Sequence, residues 1–293
     1  MNTLKGTGVA LITPFNEDKT IDFPSLERLI EFNIKAGVEY FVVMGTTAET
    51  PTLSSEEKKE VTQFIIDKNA NRLPLVIGIG GNNTQEIVKN IQETDLSPFI
   101  AILSVSPYYN KPSQEGIYQH FKAIAESTDK AIILYNVPSR TGGVGILAPT
   151  AVRLAQDFKN IVAIKEATGD LGLAMQIIKH KPQEFLVLSG DDEFALPLVY
   201  LGGHGVISVI AEGLPQEFSD MMRLGLEGKI AEANELHYKC LKMVQLIFEE
   251  GNPTGIKELL RQRGVISSAQ VRLPLVKATE QLQEKIKTEL AKF

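Results

Sequence analysis

The sequence predicts an α/β fold: a (β/α)8 TIM barrel followed by a small helical C-terminal domain. Three observations carry this. Eight short β-rich runs recur, each followed by a loop and a helical pattern. The runs are continuously apolar rather than alternating, which marks strands covered on both faces. Beyond about residue 214 the β-rich runs stop and only helical spacing remains. A doubly wound sheet is the rival, but eight units in one run fit a closed barrel better.

The elements follow in order. The first run, 8–12, comes after a short N-terminal stretch broken by Gly6 and Gly8. Leu26, Leu29, Ile30 and Ile34 then form one helical stripe before the run 40–44. Ser54 with Glu57 reads as a capping box opening a helix that reaches about Asn69. The run 75–79 is followed by a helix with Ile87, Val88 and Ile91 on one face and Thr84 as its expected cap. The runs 99–105, 131–135, 161–165, 185–188 and 205–209 complete the set. From Pro215 one helix finishes the barrel, and further helices are expected over 230–250, 255–263 and 278–291. The division predicted is a barrel over 1–228 and a helical addition over 229–293.

Composition narrows the function. The chain has 293 residues, a net charge of −6 and no run of five basic residues, so nothing in it attracts a phosphate backbone. No apolar stretch approaches the roughly 20 residues that span a bilayer. The N-terminal stretch lacks a signal-peptide h-region and reads as part of the first strand. The single cysteine, Cys240, lies in a helical pattern and reads as a small core residue. These features point to the cytoplasm. The four histidines show no ligand spacing and only His204 lies near a strand run, so no metal is expected.

The chemistry begins at Lys165, which ends the run Ile161-Val162-Ala163-Ile164. An ammonium at the end of a buried strand is costly, because desolvation disfavours the charged form. A neutral amine there can attack a ketone to form a Schiff base. Taken alone, a strand-end lysine paired with a carboxylate such as Glu166 is the commoner arrangement. The other strand ends change that weighting, because a barrel builds its active site there. Gly45-Thr46-Thr47 follows the second run and offers backbone N–H groups and hydroxyls to a small carboxylate, though alone a polar turn is the commoner reading. Ser106-Pro107-Tyr108-Tyr109-Asn110-Lys111-Pro112 makes a stiff aromatic loop suited to a site or to an interface. Tyr135 ends the fifth run as Lys165 ends the sixth, which brings a phenol and an amine into one pocket where the phenol can relay protons. Arg140 in the following loop can take a carboxylate bidentately or form a surface ion pair. Ser189-Gly190-Asp191-Asp192 follows the seventh run, and Gly202-Gly203-His204-Gly205 leads into the eighth, with glycines that permit close approach to a ligand.

These motifs, in this order, resemble the pyruvate-dependent class I aldolase superfamily and, within it, the dihydrodipicolinate synthase (4-hydroxy-tetrahydrodipicolinate synthase) family. The pieces that match are Gly45-Thr46-Thr47, Ser106 to Pro112, Tyr135-Asn136-Val137-Pro138-Ser139-Arg140-Thr141-Gly142, Ile164-Lys165-Glu166-Ala167-Thr168-Gly169, Leu188-Ser189-Gly190-Asp191-Asp192 and Gly202 to Ser208. The resemblance implies a Schiff base between Lys165 and pyruvate. It implies proton relay by Tyr135 and Thr46, completed by Tyr109 reaching into the neighbouring subunit of a tight dimer. It implies that Thr47 holds the pyruvate carboxylate, that Arg140 receives the carboxylate of L-aspartate 4-semialdehyde, and that the main chains of Gly190 and Ile207 line the pocket. No cofactor is implied. A homotetramer built as a dimer of dimers and a role in diaminopimelate and lysine biosynthesis are. An allosteric lysine site is matched in part by Asn82, Glu86 and Tyr108.

The chain departs from the family pattern in three places. Ala48 follows the two threonines where glycine is commoner, and this removes backbone freedom from the turn. Asn252-Pro253-Thr254-Gly255-Ile256-Lys257 carries Gly255 in place of a second proline. Ser55 and Lys58 stand where lysine-inhibited members often carry histidines, and a cationic Lys58 beside a cationic ligand predicts weak or absent inhibition by lysine. The rival readings are an N-acetylneuraminate lyase or keto-deoxy sugar acid aldolase, against which Arg140 argues, and a non-catalytic keto-acid sensor, against which the joint presence of Lys165, Tyr135, Thr46 and Tyr109 argues.

Overall fold

A computed structural model describes residues 2–293. Eight parallel strands close into a barrel in sequence order: β1 (Gly6–Ala10), β2 (Tyr40–Val43), β3 (Leu75–Gly78), β4 (Ala101–Val105), β5 (Ala131–Asn136), β6 (Ile161–Glu166), β7 (Leu186–Ser189) and β8 (Gly205–Ser208). β8 returns to β1 through the pairs Gly6 with Gly205 and Gly8 with Ile207. The helices between strands are α1 (Phe23–Lys35), α2 (Ser55–Asn69), α3 (Thr84–Glu93), α4 (Gln114–Glu126), α5 (Ala148–Asp157), α6 (Leu171–His180) and α7 (Ala195–Tyr200), and α8 (Pro215–Leu226) closes the ring. Three more follow: α9 (Ile230–Phe248), α10 (Thr254–Gln262) and α11 (Glu280–Leu290). Among the described residues no helix is long and apolar enough to cross a membrane.

Strand periodicity sorts the side chains into two cores. Inside the barrel lie Ala10, Tyr40, Val42, Val76, Leu103, Ile133, Tyr135, Ala163, Leu188 and Ile207. Their strand neighbours, among them Val9, Phe41, Val43, Ile102, Leu134, Ile164 and Val187, face outward into the layer beneath the helices. Residues two apart share a face, so Lys165 points inward because Ala163 does. Burying both faces of every strand supplies the main stabilisation, at about 25 cal/mol per Å² of apolar surface removed from water.

The local expectations hold in most places. Ser54 and Glu57 form a reciprocal capping box at α2. Leu26, Leu29 and Ile30 are fully buried on α1. Cys240 is buried in α9, and burial pushes its thiol up to about 12, so it is inert at neutral pH. Thr84 is not a cap. It is the first residue of α3, and its hydroxyl pairs with His120 Nδ1 at 2.8 Å, while Asn83 takes the cap position without a side-chain bond. The first strand begins two residues before the expected run, because Gly6 and Thr7 pair with β8 and Ile12 N–H instead donates to Glu212 Oε1 at 2.7 Å.

The C-terminal helices are stitched to the barrel rather than hung from it. α9 packs along α8, and α10 and α11 pack on α9. The loop between α10 and α11 reaches back to the segments that follow β1 and β2: Arg272 grips the Glu57 carboxylate with two guanidinium nitrogens, at 2.6 and 2.7 Å, and Ser268 Oγ donates to Glu17 at 2.6 Å. Gly255 sits where a Cβ would meet the Ile247 carbonyl at 2.3 Å. The absence of the second proline at this place is therefore a packing feature, with α10 starting directly against the backbone of α9.

Candidate active site

Parallel pairing places Tyr135 beside Lys165 on adjacent strand ends. Lys165 is buried, forms no ion pair among the described residues, and holds its Nζ 4.3 Å from the centroid of the Tyr135 ring. A carboxylate partner for the lysine is ruled out by the strand's own alternation. Glu166 points to the opposite face, where it accepts from Asn136 Nδ2 at 2.7 Å and from Thr168 N–H at 2.8 Å. Burial raises the Glu166 carboxyl above its usual range against those two hydrogen bonds.

Gly190 lies against the lysine. A Cβ there would stand 2.8 Å from Lys165 Cε and 2.9 Å from Cγ, so only glycine leaves the side chain its path into the barrel. Gly190 N–H also donates to Glu166 O at 2.7 Å, which ties the end of β7 to the lysine's own strand. Ile207, on β8, belongs to the inner wall.

The turn after β2 is built from two left-handed residues, Met44 (φ 57°) and Glu49 (φ 55°), which bracket a 3-10 turn over Thr46–Ala48. Ala48 is not left-handed, so its methyl costs the turn nothing, and its carbonyl accepts from Thr13 Oγ1 at 2.8 Å. Thr46 is exposed and Thr47 is buried. Thr47 Oγ1 accepts from Asn252 Nδ2 at 3.0 Å.

Two predicted residues are exposed, unlike the buried lysine. Tyr109 is 89 % exposed, with φ 71°, and Arg140 is exposed with no ion pair among the described residues. Their loops touch: Lys111 Cε lies 3.0 Å from where a Cβ of Gly142 would be. Of the three residues expected at the allosteric site, Asn82 and Tyr108 are joined by a 3.1 Å bond from Asn82 Nδ2 to Tyr108 O, and Glu86 is exposed in the first turn of α3. Gly202-Gly203-His204-Gly205 does not serve a ligand at this site. It enters β8 from the strand's N-terminal end, opposite the Lys165 end, and Gly205 is there because a Cβ would collide with Gly6 O at 2.2 Å. Among the described residues no three His, Cys, Asp or Glu side chains converge as a metal-ligand set.

Sequence reasoning missed a buried charged layer beneath the site. Lys257 of α10 is fully buried and pairs with Glu49 at 2.5 Å, while Nζ also donates to Gln270 O at 2.9 Å. Burial brings the Lys257 ammonium down to about 8, against the opposing pull of Glu49 and Glu212. Glu212 and Asp192 are fully buried too, each with one carboxylate oxygen bonded to backbone N–H groups and the other without a partner. Burial raises Glu212 well above its usual range and brings Asp192 up to about 6. The available signal was a lysine inside the apolar helical run Ile256, Leu259 and Leu260.

Asp192 gives a signed pH effect. Its folded-state pKa lies above the ordinary 3.8, so the folded chain holds the proton more tightly. That stability is present below pH 4 and lost as pH rises through 6. In urea titrations, Asp192→Asn removes this slope. Its stability relative to wild type improves by on the order of 2–3 kcal/mol between pH 4 and 7. A difference that stays flat over that window contradicts the assignment.

The chain matches the family model described as the dihydrodipicolinate synthetase family over residues 3–293. It is 54 % identical over 286 residues to the 4-hydroxy-tetrahydrodipicolinate synthase of Flavobacterium psychrophilum, covering 98 % of this chain and 97 % of that one. It is 49 % identical to the enzyme of the same name from Cytophaga hutchinsonii, covering 98 % and 95 %. Among solved structures, dihydrodipicolinate synthase from Aquifex aeolicus superposes with a TM-score of 0.94 at 39 % identity, covering 99 % of this chain and 98 % of that one. The chloride-inhibited dihydrodipicolinate synthase of Acinetobacter baumannii, solved with pyruvate, superposes with a TM-score of 0.94 at 40 % identity and the same coverage. The chain belongs to the dihydrodipicolinate synthetase family.

Proposed function

We propose that the chain condenses pyruvate with L-aspartate 4-semialdehyde through a Schiff base on Lys165, giving 4-hydroxy-tetrahydrodipicolinate for diaminopimelate and lysine biosynthesis. The observation that carries this reading is the buried amine with no carboxylate partner among the described residues, seated over a phenol ring at the end of adjacent strands.

The steps follow from that placement. The free amine of Lys165 adds to C2 of pyruvate, and loss of water leaves an iminium. The iminium draws electrons and acidifies the methyl group at C3. Loss of that proton gives an enamine, whose C3 attacks the aldehyde carbon of the second substrate. The amino group of the bound adduct then adds to C2, closes the ring and expels the Lys165 amine. Each step moves a proton, and Tyr135 with Thr46 relays it. Thr47 and the Gly190 and Ile207 main chains seat the pyruvate portion. Arg140, exposed and without an ion pair among the described residues, receives the carboxylate of the semialdehyde as a bidentate partner.

Tyr109 completes the relay from a second copy of the chain, within a homotetramer made as a dimer of tight dimers. Its 89 % exposure and left-handed backbone support this. A non-glycine residue held there costs on the order of 1–3 kcal/mol, which a loop keeps when the side chain has work to do elsewhere.

Steady-state assays test the reaction. Pyruvate with aspartate 4-semialdehyde is turned over, and retro-aldol cleavage of N-acetylneuraminate is not. The reverse preference refutes the assignment. Regulation gives a second expectation. Lys58, half-buried on α2 with no ion pair among the described residues, repels a lysine ligand held by Asn82, Glu86 and Tyr108. The rate stays within about twofold of the uninhibited rate at millimolar lysine, where the like-charge penalty outweighs the remaining contacts. Strong inhibition contradicts this.

A further inference from the structure

The hydrogen bond from Asn252 Nδ2 to Thr47 Oγ1, at 3.0 Å, joins the C-terminal helices to the turn that seats pyruvate. Asn252 stands in the connection between α9 and α10, far from Thr47 in sequence. A threonine hydroxyl has one proton and two lone pairs. With a lone pair occupied by the amide of Asn252, the Thr47 proton is free to point at an anion in the pocket. Were the amide to accept instead, that proton would be spent and the hydroxyl would turn a lone pair toward the carboxylate.

The same segment holds the turn's backbone. Five residues beyond Asn252, Lys257 enters a site with no exposed surface and pairs with Glu49, the left-handed residue that ends the turn. Glu49 Oε2 also accepts Arg272 N–H at 2.9 Å. Around the Lys257 ammonium stand Glu49 from the β2 turn, Glu212 from the turn after β8, Arg272 from the loop before α11 and the Phe15 ring at 4.1 Å. A partner removed from such a layer leaves a buried charge uncompensated. The end of the Thr46–Glu49 turn is thus held by Lys257, and the Thr47 hydroxyl by Asn252.

We propose that Asn252 is a positioning residue for pyruvate recognition, acting through the Thr47 hydroxyl, and that Lys257 holds the same turn in register through Glu49. This deepens the synthase reading and rests on it. The brace sets how tightly the substrate carboxylate is held and leaves the chemistry at Lys165 to the residues already named.

A double-mutant cycle on the full chain tests it, with KM for pyruvate, kcat and Tm read for each protein. Asn252→Ala raises KM for pyruvate about tenfold, the worth of one hydrogen bond to a charged group, with kcat changed less than about threefold. Thr47→Val raises it as well, and adding Asn252→Ala to Thr47→Val raises it no further. Lys257→Met also raises KM, and Lys257→Met with Glu49→Gln recovers part of the loss because no charge is left unpaired. The idea is overturned by Asn252→Ala that lowers Tm and leaves KM unmoved, or by an Asn252→Ala factor that persists in full on the Thr47→Val background. If Lys257→Met fails to fold, the Asn252 and Thr47 cycle decides alone. Failure of the underlying synthase reading looks different: wild-type protein then fails to turn over pyruvate with aspartate 4-semialdehyde.

Discussion

Replacing Lys165 by alanine or methionine removes turnover, with kcat falling by roughly 10⁴–10⁶-fold, the range seen when a covalent nucleophile is deleted. The hydroxyls proposed beside it, those of Thr46, Thr47 and Tyr135, cannot take over, because an imine needs an amine. The fold survives. Lys165 has no ion pair to break among the described residues, so its loss strands no buried charge. Lys165→Met keeps the aliphatic stem and the packing against Gly190 while removing the nitrogen. Circular dichroism and Tm therefore stay close to wild type while activity disappears. Loss of activity that tracks loss of folded protein would assign Lys165 a structural role instead.

The second large effect falls on Tyr135. Tyr135→Phe keeps the ring in the inner core and deletes only the hydroxyl. A positioned proton carrier is worth about 10²–10⁴-fold, so kcat drops by that range. KM for pyruvate changes little on the proposed reading, in which Thr47 rather than Tyr135 holds the carboxylate. Imine formation, followed by stopped-flow with pyruvate alone, slows by a comparable factor, because water leaves the carbinolamine only after a proton reaches it. A Phe variant with unchanged imine kinetics would remove Tyr135 from the relay.

The barrel was legible because each strand announces itself as an apolar run, and the runs come in sequence order around the closed sheet. Lys165 and Tyr135 were legible as neighbours for the same reason: consecutive parallel strands put their ends side by side. Gly190 was picked out by its motif, but its contact with the lysine stem depends on register that only the structure fixes. The glycines before β8 misled because a strand's lead-in and its exit lie at opposite ends of the barrel, and spacing alone does not weigh that difference. Thr84 misled because its hydroxyl found His120 across the helix layer, a tertiary partner that displaced the local cap. The Glu49, Lys257 and Glu212 layer was illegible in a stronger sense. Glu49 and Lys257 lie 208 residues apart, and the lysine inside the apolar run of Ile256, Leu259 and Leu260 signals burial without naming its partners.

The central claim is covalent: a buried amine at the end of β6 joins the keto carbon of pyruvate. Borohydride reduction of the chain with pyruvate alone, followed by peptide mass analysis, reads it directly. A pyruvate-sized mass gain confined to the peptide holding Lys165, absent in Lys165→Met, is the predicted result. An unlabelled Lys165 peptide in active wild-type protein, or a label carried equally by other lysines, would contradict it.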